Sequence, residues 1–153
     1  MSYLIRLVEE PDRTGVYAVE RECFLDPYPS NLIHDLIRTE HKRFFVAVEA
    51  GKVIGYAVAT AKGSDGHVVS VAVHPRHRRR GIGTALLSAL THELKEQGLQ
   101  EIHLEVRKGN QEAILFYEQM GFRRFSEIKR YYADGEDACV LRLAARSASS
   151  SDS

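Results

Sequence analysis

The chain carries 153 residues, 44% of them apolar, with 21 Lys+Arg set against 21 Asp+Glu; this suits one domain around one sizeable core and excludes a polyanion-binding role founded on net charge. Cys23 and Cys139 form neither a C-x-x-C pair nor a disulfide framework, so both are expected as reduced, buried apolar residues. Glu9, Glu10, Asp12 and Arg13 interrupt any apolar run of signal-peptide type and no stretch is long enough for a bilayer, so a cytoplasmic protein with no membrane partner is expected.

Ser2 to Val8 reads as a strand. Pro11 and Asp12 then open a helix to about Cys23, with Val16, Val19 and Cys23 at helical spacing. Asp26-Pro27-Tyr28-Pro29 is a stiff loop, because each proline fixes its own φ and restricts the residue before it. Ser30 is the expected cap of a second helix, whose apolar face is Leu32, Ile33, Leu36 and Ile37. Phe44 to Glu49 and Val53 to Ala61 form a hairpin around Ala50-Gly51-Lys52. The Gly63-to-Gly66 turn leads to a strand from His67 to Val73, stopped by Pro75.

An amphipathic helix is expected from about Ile82 to Gln97, closed by Gly98. Glu101 to Val106 alternates as a strand, and Asn110 caps a helix from Gln111 to Met120 that Gly121 ends. Strands near Arg124 to Tyr131 and Ala138 to Leu143 flank an Asp134-Gly135 turn. The order implies an α/β fold with a mixed sheet of six to seven strands and helices on both faces. One domain is expected over 1–143, followed by a disordered tail at 144–153 that holds no large apolar residue.

The sharpest local pattern is Val71-Ala72-Val73-His74-Pro75-Arg76-His77-Arg78-Arg79-Arg80-Gly81-Ile82-Gly83-Thr84: a buried strand, a basic glycine-bearing turn, then a helix. Helix N-termini present unpaired amides and partial positive charge, and glycines let a phosphate approach them. The Walker pattern is absent, and the dinucleotide fingerprint fails because position 86 is Leu. A solvated basic helix start and a nucleic-acid patch over Arg76 to Arg80 remain as alternatives. Zero net charge and the lack of a surrounding basic stripe weigh against the second, so no nucleic-acid partner is expected.

Within Ile102-His103-Leu104-Glu105-Val106 the apolar residues share one face, and Glu105 points the other way. On alternation alone Glu105 is either a solvated strand residue or a base. His67, with an unperturbed pKa near 6.5 for its type, is either a solvent-facing residue at a strand start or a second base. Tyr117 is either a core aromatic or a proton donor. Tyr28, Tyr131 and Tyr132 are either sheet-edge packing or walls for a bound peptide. The other histidines (34, 41, 74, 77, 92 and 103) show no metal-ligand spacing.

Arg78-x-x-Gly81-x-Gly83 resembles the Gln/Arg-x-x-Gly-x-Gly/Ala acetyl-CoA motif of the GNAT acetyltransferases. Leu104-Glu105-Val106-Arg107, then Asn110-x-x-Ala113-x-x-x-Tyr117-x-x-x-Gly121-Phe122, resembles the next block of that superfamily. With Tyr131-Tyr132-Ala133-Asp134-Gly135-Glu136-Asp137-Ala138 the chain is similar to the branch that acetylates protein N-termini, the ribosomal-protein-alanine N-acetyltransferases and their archaeal relatives. Gly66 to Val73 resembles the archaeal members in particular. The resemblance covers Phe44 to Leu143 and is weaker across Met1 to Lys42, where the Asp26 to Pro29 loop matches the family's peptide-binding loop only loosely.

The resemblance implies the GNAT (acyl-CoA N-acyltransferase) fold and acetyl-CoA as co-substrate. Arg78, Arg79, Arg80, Gly81, Ile82, Gly83 and Thr84 would surround the pyrophosphate, chiefly through backbone amides. Val71, Ala72 and Val73 would pair with the pantetheine arm through their backbone, one amide polarising the thioester carbonyl. Asn110 would cap its helix or bond the pantetheine amide. Glu105 becomes the general base, His67 a water-organising base and Tyr117 the acid beside the coenzyme sulfur. Asp26 lies near where some relatives carry an acidic residue facing the substrate. Cys23 and Cys139 fall outside these motifs, which favours direct attack in a ternary complex over an acyl-cysteine, and no metal is required. The expected acceptor is a protein N-terminal α-amine, on ribosomal or nascent chains among others. The rivals are a lysine or small-amine acceptor, a non-catalytic acetyl-CoA-binding module, and a nucleic-acid-binding protein.

Overall fold

The computed structural model describes residues 2–144, so the expected tail, apart from Ala144, lies outside the described residues. Seven strands form one mixed sheet: β1 (Leu4–Leu7), β2 (Phe44–Glu49), β3 (Lys52–Lys62), β4 (Asp65–Val73), β5 (Glu101–Arg107), β6 (Arg123–Ile128) and β7 (Ala138–Ala144), in the order β1-β2-β3-β4-β5-β7-β6. The helices are α1 (Arg13–Cys23), α2 (Ser30–Thr39), α3 (Ile82–Glu96) and α4 (Gln111–Gln119). By contact the chain divides into two compact units: the residues up to Thr60 with Val68–Leu94, and Ala61–His67 with the chain from Lys95 onward.

In the first unit, Val16 and Val19 of α1 and Ile33, Leu36 and Ile37 of α2 pack on Phe44, Val46, Tyr56, Val58 and Ala72. A Cβ built on Gly55 would meet Leu86 of α3 at 3.1 Å. Successive strand residues point to opposite faces, so α1 and α2 cover the Tyr56 face and α3 covers the other. Leu86, Leu87, Leu90 and Leu94 recur at helical spacing and are fully buried, each contributing about 2 kcal/mol by removal from water. Gly98 at φ 87° then ends the helical path. The β2–β3 hairpin turns on Ala50 and Gly51 at φ 51° and 78°, the pair of left-handed residues that a tight two-residue hairpin needs.

In the second unit, Ile102, Leu104 and Val106 of β5 are buried while His103, Glu105 and Arg107 are partly exposed, as the alternation required. β5 pairs antiparallel with β7 over seven residues and parallel with β4 over three, Asp65–His67 against Glu101–His103. The edge strand β6 is exposed throughout. Its charged residues, with a register shift between Arg124 and Ser126, guard the open edge against pairing with another chain.

Several boundaries differ from the sequence expectation, β1 being shorter than Ser2 to Val8, and three of the differences have a visible cause. Ser30 is the first residue of α2 and makes no capping bond; the cap position is Pro29, whose carbonyl accepts from Leu32 N at 3.0 Å. β4 starts at Asp65 because Asp65–His67 are drawn into the parallel pairing with β5, which leaves Gly63 and Ser64 as the turn. β6 stops at Ile128 rather than Tyr131, because Arg130 turns to φ 52° and its amide bonds Asp137 Oδ1 at 3.0 Å.

Candidate active site

The first unit holds the basic turn. After β4, Pro75–His77 make a short 3-10 turn, with His74 Nδ1 accepting from Arg76 N at 3.1 Å. Arg79 and Gly81 both take left-handed backbone, φ 65° and 79°. Nothing lies within 4 Å of a Cβ placed on Gly81, so the glycine answers to backbone angle rather than to crowding. The first i→i−4 bond of α3 runs from Ala85 N to Gly81 O at 3.0 Å. The amides from Gly81 to Thr84 therefore precede the helical ladder and suit an anion.

Of the consecutive arginines Arg78, Arg79 and Arg80, the first and the last bond within the protein. Arg78 Nε donates to Val73 O at 3.1 Å, an oxygen that also accepts from Cys23 Sγ at 3.3 Å. Arg80 grips buried Glu49 through Nη1 and Nη2 at 3.2 and 2.6 Å. These Arg80 bonds hold Glu49 below the usual carboxylate range against its desolvation. Arg78 and Arg80 thus stiffen the turn, and Arg79 is exposed. On β4, a Cβ at Gly55 would come within 2.9 Å of Ala72 O, so only glycine lets β3 run this close.

The second unit holds the acid–base candidates. His67 and His103 are register partners in the parallel β4–β5 pairing, and their rings stack at 4.5 Å and 5°. Glu105, two residues further along the same face of β5, lies with Oε1 2.7 Å from His67 Nε2 and Oε2 3.6 Å from His103 Nε2. Asp65 completes the row, with Oδ2 3.0 Å from His103 Nδ1. Burial alone would raise Glu105, but the His67 hydrogen bond and the charges of both histidines hold it below the usual carboxylate range. A carboxylate ionised at neutral pH is therefore bonded to an imidazole.

Around this pair, Arg107 bonds Asp134 at 2.9 and 3.1 Å and Glu136 at 3.0 Å and lies over the Tyr132 ring at 4.2 Å. Glu136 Oε2 in turn accepts from Gly109 N at 2.8 Å. This clamp fixes the Tyr131-Tyr132 segment, whose rings meet edge to face at 4.9 Å. Tyr131 senses Glu105: burial first, then the Glu105 charge, raises its phenol. Tyr117 packs between Phe116 and Phe122; burial, with a smaller contribution from Tyr132, pushes its phenol up to about 12. Asn110 Oδ1 accepts from Ala113 N at 3.1 Å, the expected helix cap.

The sequence pattern of the acetyltransferase (GNAT) family matches residues 13–122. The chain belongs to the GNAT acetyltransferase family. Among GNAT relatives, an N-alpha-acetyltransferase of Sulfurisphaera tokodaii is 35% identical over 91% of each chain. The ribosomal protein bS18 alanine N-acetyltransferase of Escherichia coli is 30% identical over 91% of this chain and 95% of its own. The solved structure of Ard1 from Thermoplasma volcanium superposes with a TM-score of 0.91 at 31% identity, over 96% of this chain and 100% of that one. The mixed seven-stranded sheet is thus the GNAT fold, and both branches of the sequence resemblance reappear among the relatives.

The sequence did not single out Glu20, yet it organises the first unit of this GNAT protein. Its carboxylate is 2% exposed, accepts from the Tyr56 phenol, and accepts from Tyr28 N at 2.9 Å. Tyr56 also shares a 3.1 Å hydrogen bond with Ser70 Oγ. Glu20 thereby anchors the Pro27–Pro29 loop from beneath, while Asp26 is exposed. The signal was present: Glu20 stands at an apolar position of the Val16, Val19, Cys23 stripe. Asp65 and His103 were missed as well, and only the strand register exposes them.

Proposed function

We propose that residues 1–143 act as one GNAT domain that moves the acetyl group of acetyl-CoA to a protein N-terminal α-amine, by direct attack in a ternary complex. The observation that carries this reading is the ionised Glu105 hydrogen-bonded to His67; the N-alpha-acetyltransferase relatives support the choice of acceptor. A free α-amine has pKa about 8 and is mostly protonated at neutral pH, so the reaction needs a proton acceptor. Glu105, relayed through water organised by His67, fills that role. When bound, the co-substrate supplies an activated thioester carbonyl.

The amides from Gly81 to Thr84 suit the coenzyme pyrophosphate, Arg79 adds positive charge, and Val71 to Val73 offer backbone pairing to the pantetheine arm. Asn110, although it caps α4 through Oδ1, keeps its amide NH2 for the same arm. Tyr117, protonated far above neutrality, is the proton source for the departing sulfur. Tyr28, Tyr131 and Tyr132, with Asp26, form the acceptor contacts. The phenols supply rigid area with polar tips, and Asp26 offers a negative charge to an ammonium. No metal takes part in transfer. Among the described residues no helix is long and apolar enough to cross a membrane, and both cysteines are free thiols; the reading places the reaction in the cytoplasm.

Steady-state acetylation of a peptide with a free N-terminus tests the role of the base. Glu105→Gln should lower kcat by about 10²- to 10⁴-fold while KM for acetyl-CoA stays near wild type. A kcat within threefold of wild type removes Glu105 from the mechanism.

A further inference from the structure

We propose that His67, His103 and Glu105 form a binding site for Zn²⁺, and that filling it silences the transferase. One ligand atom from each of the three residues lies within 4.8 Å of the others. A tetrahedral zinc with Zn–N about 2.0–2.1 Å holds its ligand atoms about 3.3 Å apart. His67 Nε2 lies 2.7 Å from Glu105 Oε1 and His103 Nε2 lies 3.6 Å from Glu105 Oε2, so each imidazole already stands near that spacing from one carboxylate oxygen. His67 and His103 are direct register partners on paired strands, and Glu105 stands two residues along β5, so the donor set is held by backbone rather than by a loop.

The surroundings are those of a metal site. Asp65 holds Nδ1 of His103 at 3.0 and 3.2 Å. A proton on Nδ1 leaves the lone pair on Nε2, the nitrogen beside Glu105, and a carboxylate behind a ligating imidazole is the usual arrangement that orients it. Two imidazoles and one carboxylate suit zinc and its neighbours over magnesium or calcium. The three side chains are 34%, 26% and 14% exposed for His67, His103 and Glu105, open enough for an ion to enter and leave the fourth position to water. The stacked rings must turn so that both lone pairs converge on the ion, a rotation that two partly exposed imidazoles can make. The proton shared between His67 Nε2 and Glu105 is released or moves to Nδ1 as the ion enters.

The inhibitory half of the proposal rests on the function given above, since zinc would occupy the carboxylate that accepts the amine's proton and the imidazole that organises the relaying water. The binding half does not. Calorimetry with ZnCl2 on the metal-free whole chain should give one ion per chain with release of protons. Co²⁺ should give the intense visible band of a tetrahedral site, which added Zn²⁺ bleaches. His103→Asn should weaken Zn²⁺ binding more than tenfold and Asp65→Asn about tenfold. Zn²⁺ should inhibit acetyl transfer over the concentration range in which it binds, and the inhibition constant should rise in step in both variants, each measured against its own metal-free rate. Absence of stoichiometric binding, or binding indifferent to His103→Asn, overturns the site. Binding at full stoichiometry without inhibition overturns the silencing, and with it the base role of Glu105, while the metal site stands.

Discussion

Replacing Tyr56 with Phe removes a single oxygen from a fully buried ring. That oxygen donates to Glu20, a carboxylate 2% exposed, and shares a 3.1 Å bond with Ser70 Oγ. Glu20 would keep only the Tyr28 amide among these partners. A hydrogen bond to a charged group contributes about 1.5–3 kcal/mol, so Tyr56→Phe should cost about 2–3 kcal/mol. For a chain of this size each kcal/mol shifts Tm by about 2–4 °C, which gives a fall of about 4–12 °C. Urea melts of wild type, Tyr56→Phe, Glu20→Gln and the double variant close a cycle, with an expected coupling above about 1 kcal/mol. A Tyr56→Phe loss under 0.5 kcal/mol, or strictly additive effects, would refute the claim that this buried pair anchors the Tyr28 loop.

Three further outcomes follow from named contacts. Asn110→Ala removes the cap on Ala113 N and should cost about 1 kcal/mol in a urea melt. Tyr117, raised by burial to about 12, should be missing from the phenolate absorbance that appears near pH 10, and the Tyr117→Phe difference titration should fall near pH 12. A phenol with a raised folded pKa adds stability that is fully present below its unfolded pKa near 10 and lost toward 12, so its contribution is constant through the neutral range. Asp12 is pushed up by burial, but the Arg6 hydrogen bonds at 2.8 and 2.9 Å and the Glu9 amide hold it below the usual range. Its contribution, at most about 1 kcal/mol for a partly exposed pair, is therefore present above the unfolded pKa near 3.9 and lost as pH falls through the lower folded value. Asp12→Asn and wild type should differ in stability at pH 7 and converge in acid, as urea melts at the two pH values would show.

Much of the fold was legible because it is written in local periods. The two-residue alternation of Ile102 to Val106 put Glu105 on the face opposite the core, and the 3.6-residue stripe of α3 placed its leucines. Gly98 marked the end of α3, whereas Gly81, read as room for a phosphate, answers to its own left-handed backbone. What was not legible depends on register between distant segments. His67 meets Glu105, and Asp65 meets His103, across 38 residues of sequence, and nothing in the spacing of either histidine announces a neighbour. Glu49 claims Arg80 from 31 residues away, so an arginine read as part of an anion cradle is also a strut of the turn. At Ser30 the expected serine cap is not made: Pro29 holds the cap position, and the helix starts one residue earlier than a serine cap would place it.

Acceptor choice is the central claim, and a peptide panel with labelled acetyl-CoA tests it most directly. Each peptide is offered with its α-amine free or blocked, and with or without an internal lysine. The account predicts label only on free α-amines, lost in Glu105→Gln. Label on α-blocked peptides that carry lysine, or no label on any peptide, would contradict it.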